Sequence, residues 1–257
     1  MQSLPIRPLT EAAAAGDLEE VQRLLGDSAA IDSYDSVDRD KFYAMRTAVE
    51  KDHLRVVSLL LSNGVKPSPY EFSLAVKNRS YAILELMLQN GFDINAAYRD
   101  EYPEFWADAL LDSELVRWLV EHGADPNVPS MYGITPFSIA AYSASRQTIE
   151  LLLELGASVQ HGYPLHSAVW SNREDEIVEL LLNKGASPNA IEFEGQPKGY
   201  YESVTGVGTP LHVAYRTGNH RLVKLLLKYG ADPNIQDTRG MLPGQVRKNH
   251  CHLSASI

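Results

Sequence analysis

The sequence predicts an all-α fold, an α-solenoid of about seven stacked helix-turn-helix units with hairpin loops between them and a partial C-terminal cap. Three observations carry that prediction. A leucine-rich segment followed by a glycine and a polar turn recurs at Gly64 (NGVKPS), Gly91 (NGFDIN), Gly123 (HGADPN), Gly156 (LGASVQ), Gly185 (KGASPN) and Gly230 (YGADPN). Successive glycines lie 27, 32, 33, 29 and 45 residues apart, which brackets the roughly 33-residue period of one helical repeat class. Upstream of each glycine the apolar residues fall at helical spacing, as in Leu54, Val57, Leu60 and Leu61 before Gly64. Glycine supplies the left-handed backbone that closes such a helix, and the Asp, Pro and Asn that follow are turn formers.

Composition narrows the function. The 257 residues, 44% of them hydrophobic, are read as one elongated domain spanning 1–257, because a repeat array needs no central core. A formal charge of −10 with no dense Lys/Arg run argues against nucleic acid as the partner. One cysteine, Cys251, excludes an internal disulfide framework, and the start MQSLPIRPLT lacks a leader's charged and apolar regions. The apolar runs are far shorter than a membrane span. The expectation is a cytoplasmic or nuclear protein that engages no membrane.

The first unit, residues 5–33, puts Pro8-Leu9 and the run Ala12 to Ala15 on one helix, Gly16-Asp17 in a turn, and Leu18, Val21, Leu24 and Leu25 on a second helix. The second, 38–66, repeats the plan with Ala44 and Ala48, Asp52-His53, and then the leucines before Gly64. Asp32, Asp35, Asp38 and Asp40 lie between them without the alternation and central glycine of a calcium loop, and read as a solvated acidic loop. The third unit, 69–95, has lost its hairpin, and Asn78-Arg79-Ser80 reads as its inter-helix turn rather than a glycosylation acceptor. The fourth, 102–127, is aromatic and degenerate, with Tyr98, Tyr102, Phe105 and Trp106 leading into Ala107.

Units five to seven, 134–160, 162–189 and 208–235, open on Thr135-Pro136-Phe137-Ser138-Ile139-Ala140, Tyr163-Pro164-Leu165-His166-Ser167-Ala168 and Thr209-Pro210-Leu211-His212-Val213-Ala214. These resemble ankyrin repeats. Thr is a good N-cap, Pro is preorganised for the first helical position, and Leu and Ala face the stack. The resemblance implies that His166 and His212 hydrogen-bond loop backbone. The alanine precedes the turn glycine by 16 residues in units two to five and in the seventh, but by 17 in the sixth, so one residue is inserted around Asn172 to Glu176. Glu174, Asp175 and Glu176 then meet the positive end of a helix.

Two stretches depart from the family pattern. Pro210 follows Asn189 by 21 residues where Pro136 follows Asn127 by 9, which makes 190–208 a long insertion. Its Gly206-Val207-Gly208 step has no P-loop lysine and reads as structural. Beyond Asp237 an eighth hairpin begins, a short helix is expected around Gln245 to Asn249, and 240–257 form the partial cap. His250-Cys251-His252, adjacent in a tail, do not make a metal set.

No HExxH motif, nucleophile elbow or kinase set is present, so a binding module is favoured, with neither cofactor nor metal expected. The resemblance implies a scaffold that meets another protein on a concave face built from hairpin tips and inner helices. Carried over by position, that face includes Glu50, Lys51, Lys77, Asn78, Ala109 and Leu110 and becomes aromatic in units four to seven. The binding residues expected there are Tyr98, Arg99, Tyr102, Met131, Tyr132, Tyr142, His161, Tyr163, Trp170, Tyr200, Tyr201 and Arg216. Tyr, Trp and Arg dominate interface hot spots. Packing of some tyrosines between hairpins is the plainer reading. The alternative function is a small-molecule binder or unusual biosynthetic enzyme that uses the same groove closed by 191–208. Tyr142, His161, Tyr163, Arg216 and Glu202 would be its acid, base and oxyanion-stabilising groups.

Overall fold

The structure, a computed structural model, describes residues 7–26, 34–96, 105–130, 133–192 and 207–246, with side chains from residue 39 onward in the second of these segments. The described residues form fourteen α-helices and no strand. They pair as α1 (Pro8–Ala15) with α2 (Leu18–Gly26), α3 (Tyr34–Glu50) with α4 (Leu54–Ser62), and α5 (Pro69–Asn78) with α6 (Tyr81–Gln89). The series continues with α7 (Phe105–Ala109) and α8 (Ser113–Glu121), α9 (Pro136–Ser143) and α10 (Arg146–Glu154), and α11 (Pro164–Trp170) and α12 (Asp175–Asn183). It closes with α13 (Pro210–Arg216), α14 (His220–Lys228) and one 3₁₀ turn, Pro243–Gln245.

Two compact units result, the first reaching Leu115 and the second starting at Val116, so the boundary falls within α8. In the first, α1, α3, α5 and α7 pack in series while α2, α4 and α6 form an outer layer. Ala13, Ala44, Ala48 and Ala75 are fully buried and bring the inner helices together, and Phe72 stacks on Phe92 with ring centroids 4.4 Å apart. In the second, α9, α11 and α13 pack in series around Phe137, Ala140, Ala168 and Ala214, all fully buried. Each such leucine or phenylalanine contributes about 1.5–3 kcal/mol by leaving water.

The leucine-glycine phrase closes helices as its chemistry requires. In six repeats the second helix starts ten residues before the turn glycine, at Leu54, Tyr81, Ser113, Arg146, Asp175 and His220. The six glycines have φ between 81° and 98°. The next N–H reaches back to a carbonyl of the last helical turn, as in Ala124 to Leu119 at 2.9 Å and Ala157 to Leu152 at 2.8 Å. A residue with a Cβ is disfavoured there by its own backbone, since at Gly64, Gly91, Gly123, Gly156 and Gly230 the added carbon would meet open space.

Two expectations are corrected. The acidic stretch is no loop from Tyr34 on: the run to Glu50 contains neither Gly nor Pro and continues as α3, and Asp40 caps α1 by accepting from the N–H groups of Leu9 (3.1 Å) and Thr10 (3.0 Å). In the fourth repeat Ala107 is exposed, whereas Trp106 is fully buried and Ala109 and Leu110 are buried too. The inter-helix turn there, 110–112, is as long as those of the second and seventh repeats, so the 16-residue spacing from Ala107 holds while the buried positions fall on its neighbours. Among the described residues the C-terminal stretch forms one 3₁₀ turn, Pro243–Gln245; 247–257, and with them most of the helix expected around Gln245 to Asn249, lie outside the described residues.

Candidate functional site

The inner helices of the second unit are pinned at both ends, and the pins decide which side chains stay outside. At the start of α9 the Thr135 hydroxyl accepts from Ser138 N–H at 3.1 Å. At α13, His212 Nδ1 accepts from Thr209 N–H (3.0 Å), which leaves the proton on Nε2 to donate to the Met241 carbonyl (3.0 Å) in the eighth hairpin. His166 on α11 donates from Nε2 to the Gly208 carbonyl at 3.1 Å. Burial holds His166 neutral, its pKa lowered to about 4, and shifts His212 downward as well. These bonds are the loop contacts that the family resemblance implies. At the other end Arg173 donates to the Ala141 (3.0 Å) and Ala144 (2.7 Å) carbonyls and so caps α9, while Arg221 on α14 donates to the Arg173 carbonyl at 2.7 Å. The insertion inferred in the sixth repeat is the turn Ser171–Glu174, where Asn172 has φ 57°.

With the helices held, Tyr142 near the end of α9 and Trp170 at the end of adjacent α11 are left 46% and 43% exposed. Neither ring makes an aromatic or cation contact among the described residues. Small hydroxyl side chains follow them at the helix ends, Ser143 after Tyr142 and Ser171 after Trp170.

A separate cavity of about 570 Å³ opens on the hairpin side of the same unit, lined by Asp125, Gly133, His161, Tyr163, His166 and Ile191 among others. The turns beneath it are stapled from repeat to repeat. Asn127 donates to the Gly156 carbonyl (3.0 Å) and accepts from Ser158 N–H (2.8 Å); Asn189 does the same with Gly230 and Asp232. In the fifth repeat Gln160 donates to the Gly185 carbonyl at 2.8 Å. Sequence reasoning assigned these asparagines to turns and missed the staple; their recurrence four residues after the glycine was the available signal.

Arg216 is placed otherwise than the groove reading expects. It is only 8% exposed, turned into a cluster with Glu192 and Asp237. Burial pushes the Glu192 carboxyl up to about 7 against the opposing field of Arg216, and burial pulls the Arg216 pKa down against the two carboxylates.

The expected binding residues thus divide. Tyr142 and Trp170 are exposed on helix ends, His161 and Tyr163 line the cavity, and Arg216 is buried. Tyr98, Arg99, Tyr102, Met131, Tyr132, Tyr200, Tyr201 and Glu202 lie outside the described residues. The acid-base set proposed for a catalyst is not gathered, since neither Tyr142 nor Arg216 lines the cavity that holds His161 and Tyr163. No group of three or more His, Cys, Asp or Glu suited to a metal occurs among the described residues. No helix among them is long and apolar enough to cross a membrane.

Comparison with known proteins decides the family. A model of three ankyrin repeats matches residues 9–98 and 106–192, and a single-repeat model matches 208–238. The chain belongs to the ankyrin repeat family. Over 90% of its length it is 26% identical to the human transient receptor potential cation channel subfamily A member 1. It is 30% identical over 70% of its length to the ankyrin repeat domain-containing protein SAT10 of Stachybotrys chartarum. The Caenorhabditis elegans ankyrin repeat and KH domain-containing protein mask-1 is 25% identical over 91% of it. The matches span 25%, 10% and 9% of those three proteins, so a shared repeat array is what the similarity covers. Ankyrin repeats as a class mediate protein–protein interaction.

Proposed function

We propose that this ankyrin array is a protein-recognition scaffold whose partner docks on the inner-helix face of the second unit, with Tyr142 and Trp170 as its anchors. The observation that carries the reading is the pair of large aromatics left nearly half exposed on neighbouring helices whose ends are otherwise fixed and capped. A rigid aromatic gives up little conformational freedom on binding and buries a large area, the combination that produces hot spots. The test is affinity capture from the source cell with wild-type protein and with the Tyr142→Ala/Trp170→Ala double variant, alongside thermal melting. A partner retained by the wild type alone, with unchanged melting, is the expected result. Equal capture by both proteins overturns the assignment.

A further inference from the structure

The second unit lacks one hairpin, and among the described residues nothing stands in its place. In the fifth and eighth repeats the helix-opening proline follows the turn glycine by 13 residues (Gly123 to Pro136, Gly230 to Pro243); in the sixth it follows by 8 (Gly156 to Pro164). Five residues are missing, and the chain crosses from Gln160 to Pro164 by the direct route. Gly162 makes that route passable: with φ 67°, a Cβ on it would clash with Ser138 Oγ and stand 2.6 Å from Thr135 Oγ1. The fifth repeat has adapted in step. Where His166 and His212 reach across to the following hairpin, this repeat carries the shorter Ser138, whose hydroxyl accepts from Tyr163 N–H at 2.9 Å.

The neighbouring hairpins show what the absent one would do. The seventh and eighth are joined through Val207 and Thr238, with Thr238 N–H donating to the Val207 carbonyl (2.9 Å) and Val207 N–H to Thr238 Oγ1 (2.9 Å). The fifth closes on itself, Ser130 N–H donating to the Ile134 carbonyl at 2.8 Å, and the seventh starts with Glu192 N–H donating to the Gly208 carbonyl at 3.2 Å. Between the roots of these two lies the 570 Å³ cavity, with Pro129, Gly133 and Thr135 from the fifth, Ala190 and Ile191 from the seventh, and the shortened crossing beneath. Val159, Gly162 and Ile191 line it and make no main-chain hydrogen bond among the described residues. Unpaired main chain beside a gap one hairpin wide is a template for an added extended segment.

We propose that this gap binds an extended peptide segment of a partner protein, which takes the position of the missing sixth hairpin and pairs by main chain with Ile191 and the Val159–Gly162 crossing. Charge selects the occupant. Among the described lining residues Asp125 is the only carboxylate and there is no Lys or Arg, and buried His166 stays neutral, so a neutral or basic segment fits better than an acidic one. The site is distinct from the aromatic pair, because neither Tyr142 nor Trp170 lines it.

The probe is a random seven-residue peptide library displayed on phage and selected on the whole protein. Peptides enriched on wild type are expected to carry neutral or net positive charge and to bind the Tyr142→Ala/Trp170→Ala variant equally well. They are expected to lose at least tenfold in affinity to a variant with five residues, copied from 128–132, inserted between Gln160 and His161. Bound peptide is also expected to slow hydrogen exchange at the Ile191 and Gly162 amides. Ile191→Pro, which deletes one edge N–H with little change in bulk, provides a second test should the insertion impair folding, and is expected to weaken the same peptides. Failure to enrich any peptide overturns the inference, as do peptides that bind wild type and both gap variants alike. Peptides lost only on the aromatic double variant overturn it while supporting the helix-face site.

Discussion

Both units present large aromatics on their inner helices, but they hold them differently. In the first unit Phe42 and Tyr70 are exposed to a similar degree as Tyr142 and Trp170, yet the guanidinium of Arg46 sits over both, 4.8 Å from the Phe42 ring centroid and 4.0 Å from that of Tyr70. Arg46 is itself tied to the buried carboxylate of Glu71 at 3.4 Å, and Arg7 covers Tyr43 at 3.7 Å. In the second unit no cation among the described residues covers the rings: Arg173 is drawn to helix carbonyls and Arg216 into the core. The difference teaches that exposure alone does not mark a binding residue. A ring whose face already holds an arginine has less to gain from a partner than one whose face meets water.

The contrast depends on the second unit keeping its helices pinned, so the largest effect is expected from breaking the tightest pin. A Cβ on Gly208 would lie 2.6 Å from the ring of His212, which is bonded through both nitrogens and has nowhere to go. Gly208→Ala is expected to cost about 2–4 kcal/mol, from overpacking together with disturbed hydrogen bonds. Hydrogen exchange resolved by segment is the measurement: protection should fall in α11 and α13 and persist in α3 and α5. Uniform loss across the chain would show that the two units do not unfold separately.

The converse experiment makes the first unit resemble the second. Arg46→Ala uncovers Phe42 and Tyr70 and leaves Glu71, 1% exposed, without its ion pair, although Ser68 N–H still donates to it at 2.8 Å. A loss of about 1–3 kcal/mol is expected, with increased binding of a hydrophobic dye to the folded protein. Unchanged dye binding would mean that Arg46 does not shield the rings.

How much of this was legible in the sequence follows from the range of each interaction. Helix ends, turn glycines and Thr-Pro caps are local, so the phrase at Gly230 or Thr209 announced them correctly. Asp40 failed as a loop residue because its role is set by amides thirty residues earlier, and Ala107 misled because spacing alone does not show that Trp106 and Ala109 take the buried positions. The aromatic content of the groove was readable, but whether a ring is covered depends on where an arginine from another helix points. For Arg216 the deciding partners, Glu192 and Asp237, come from two different hairpins, and no local pattern joins them.

A smaller effect is expected from pH. The folded state holds the Glu192 proton with a pKa of about 7, above the ordinary 4.5, so it binds that proton more tightly than the unfolded chain does. The stabilisation is complete below pH 4.5 and is lost as pH rises to 7. His166 acts in the opposite sense: its pKa of about 4 lies below the ordinary 6.5, so its contribution is present above 6.5 and is lost as pH falls toward 4. Glu192→Gln is expected to raise stability at pH 8 by about 1–2 kcal/mol and to leave it nearly unchanged at pH 4.5, as checked by urea unfolding at the two values. A loss at pH 8 would indicate that attraction to Arg216 outweighs the cost of burying the carboxylate, and would make Glu192 a structural counter-ion.

The smallest expected change in stability is the one that bears most on function. Tyr142 and Trp170 each keep nearly half their surface in water and make no ring or cation contact among the described residues, so Tyr142→Ala or Trp170→Ala removes little that folding has buried. Each is expected to shift stability by about 0.5 kcal/mol or less, the usual range for surface positions. The matching changes in the first unit, Phe42→Ala and Tyr70→Ala, forfeit the contact with Arg46 and are expected to cost more, by about 0.5–1 kcal/mol each. Urea unfolding of the four variants orders them. If Trp170→Ala proves as costly as Tyr70→Ala, the Trp170 ring is held by the fold after all, and the distinction between covered and available aromatics fails where the proposed docking face needs it.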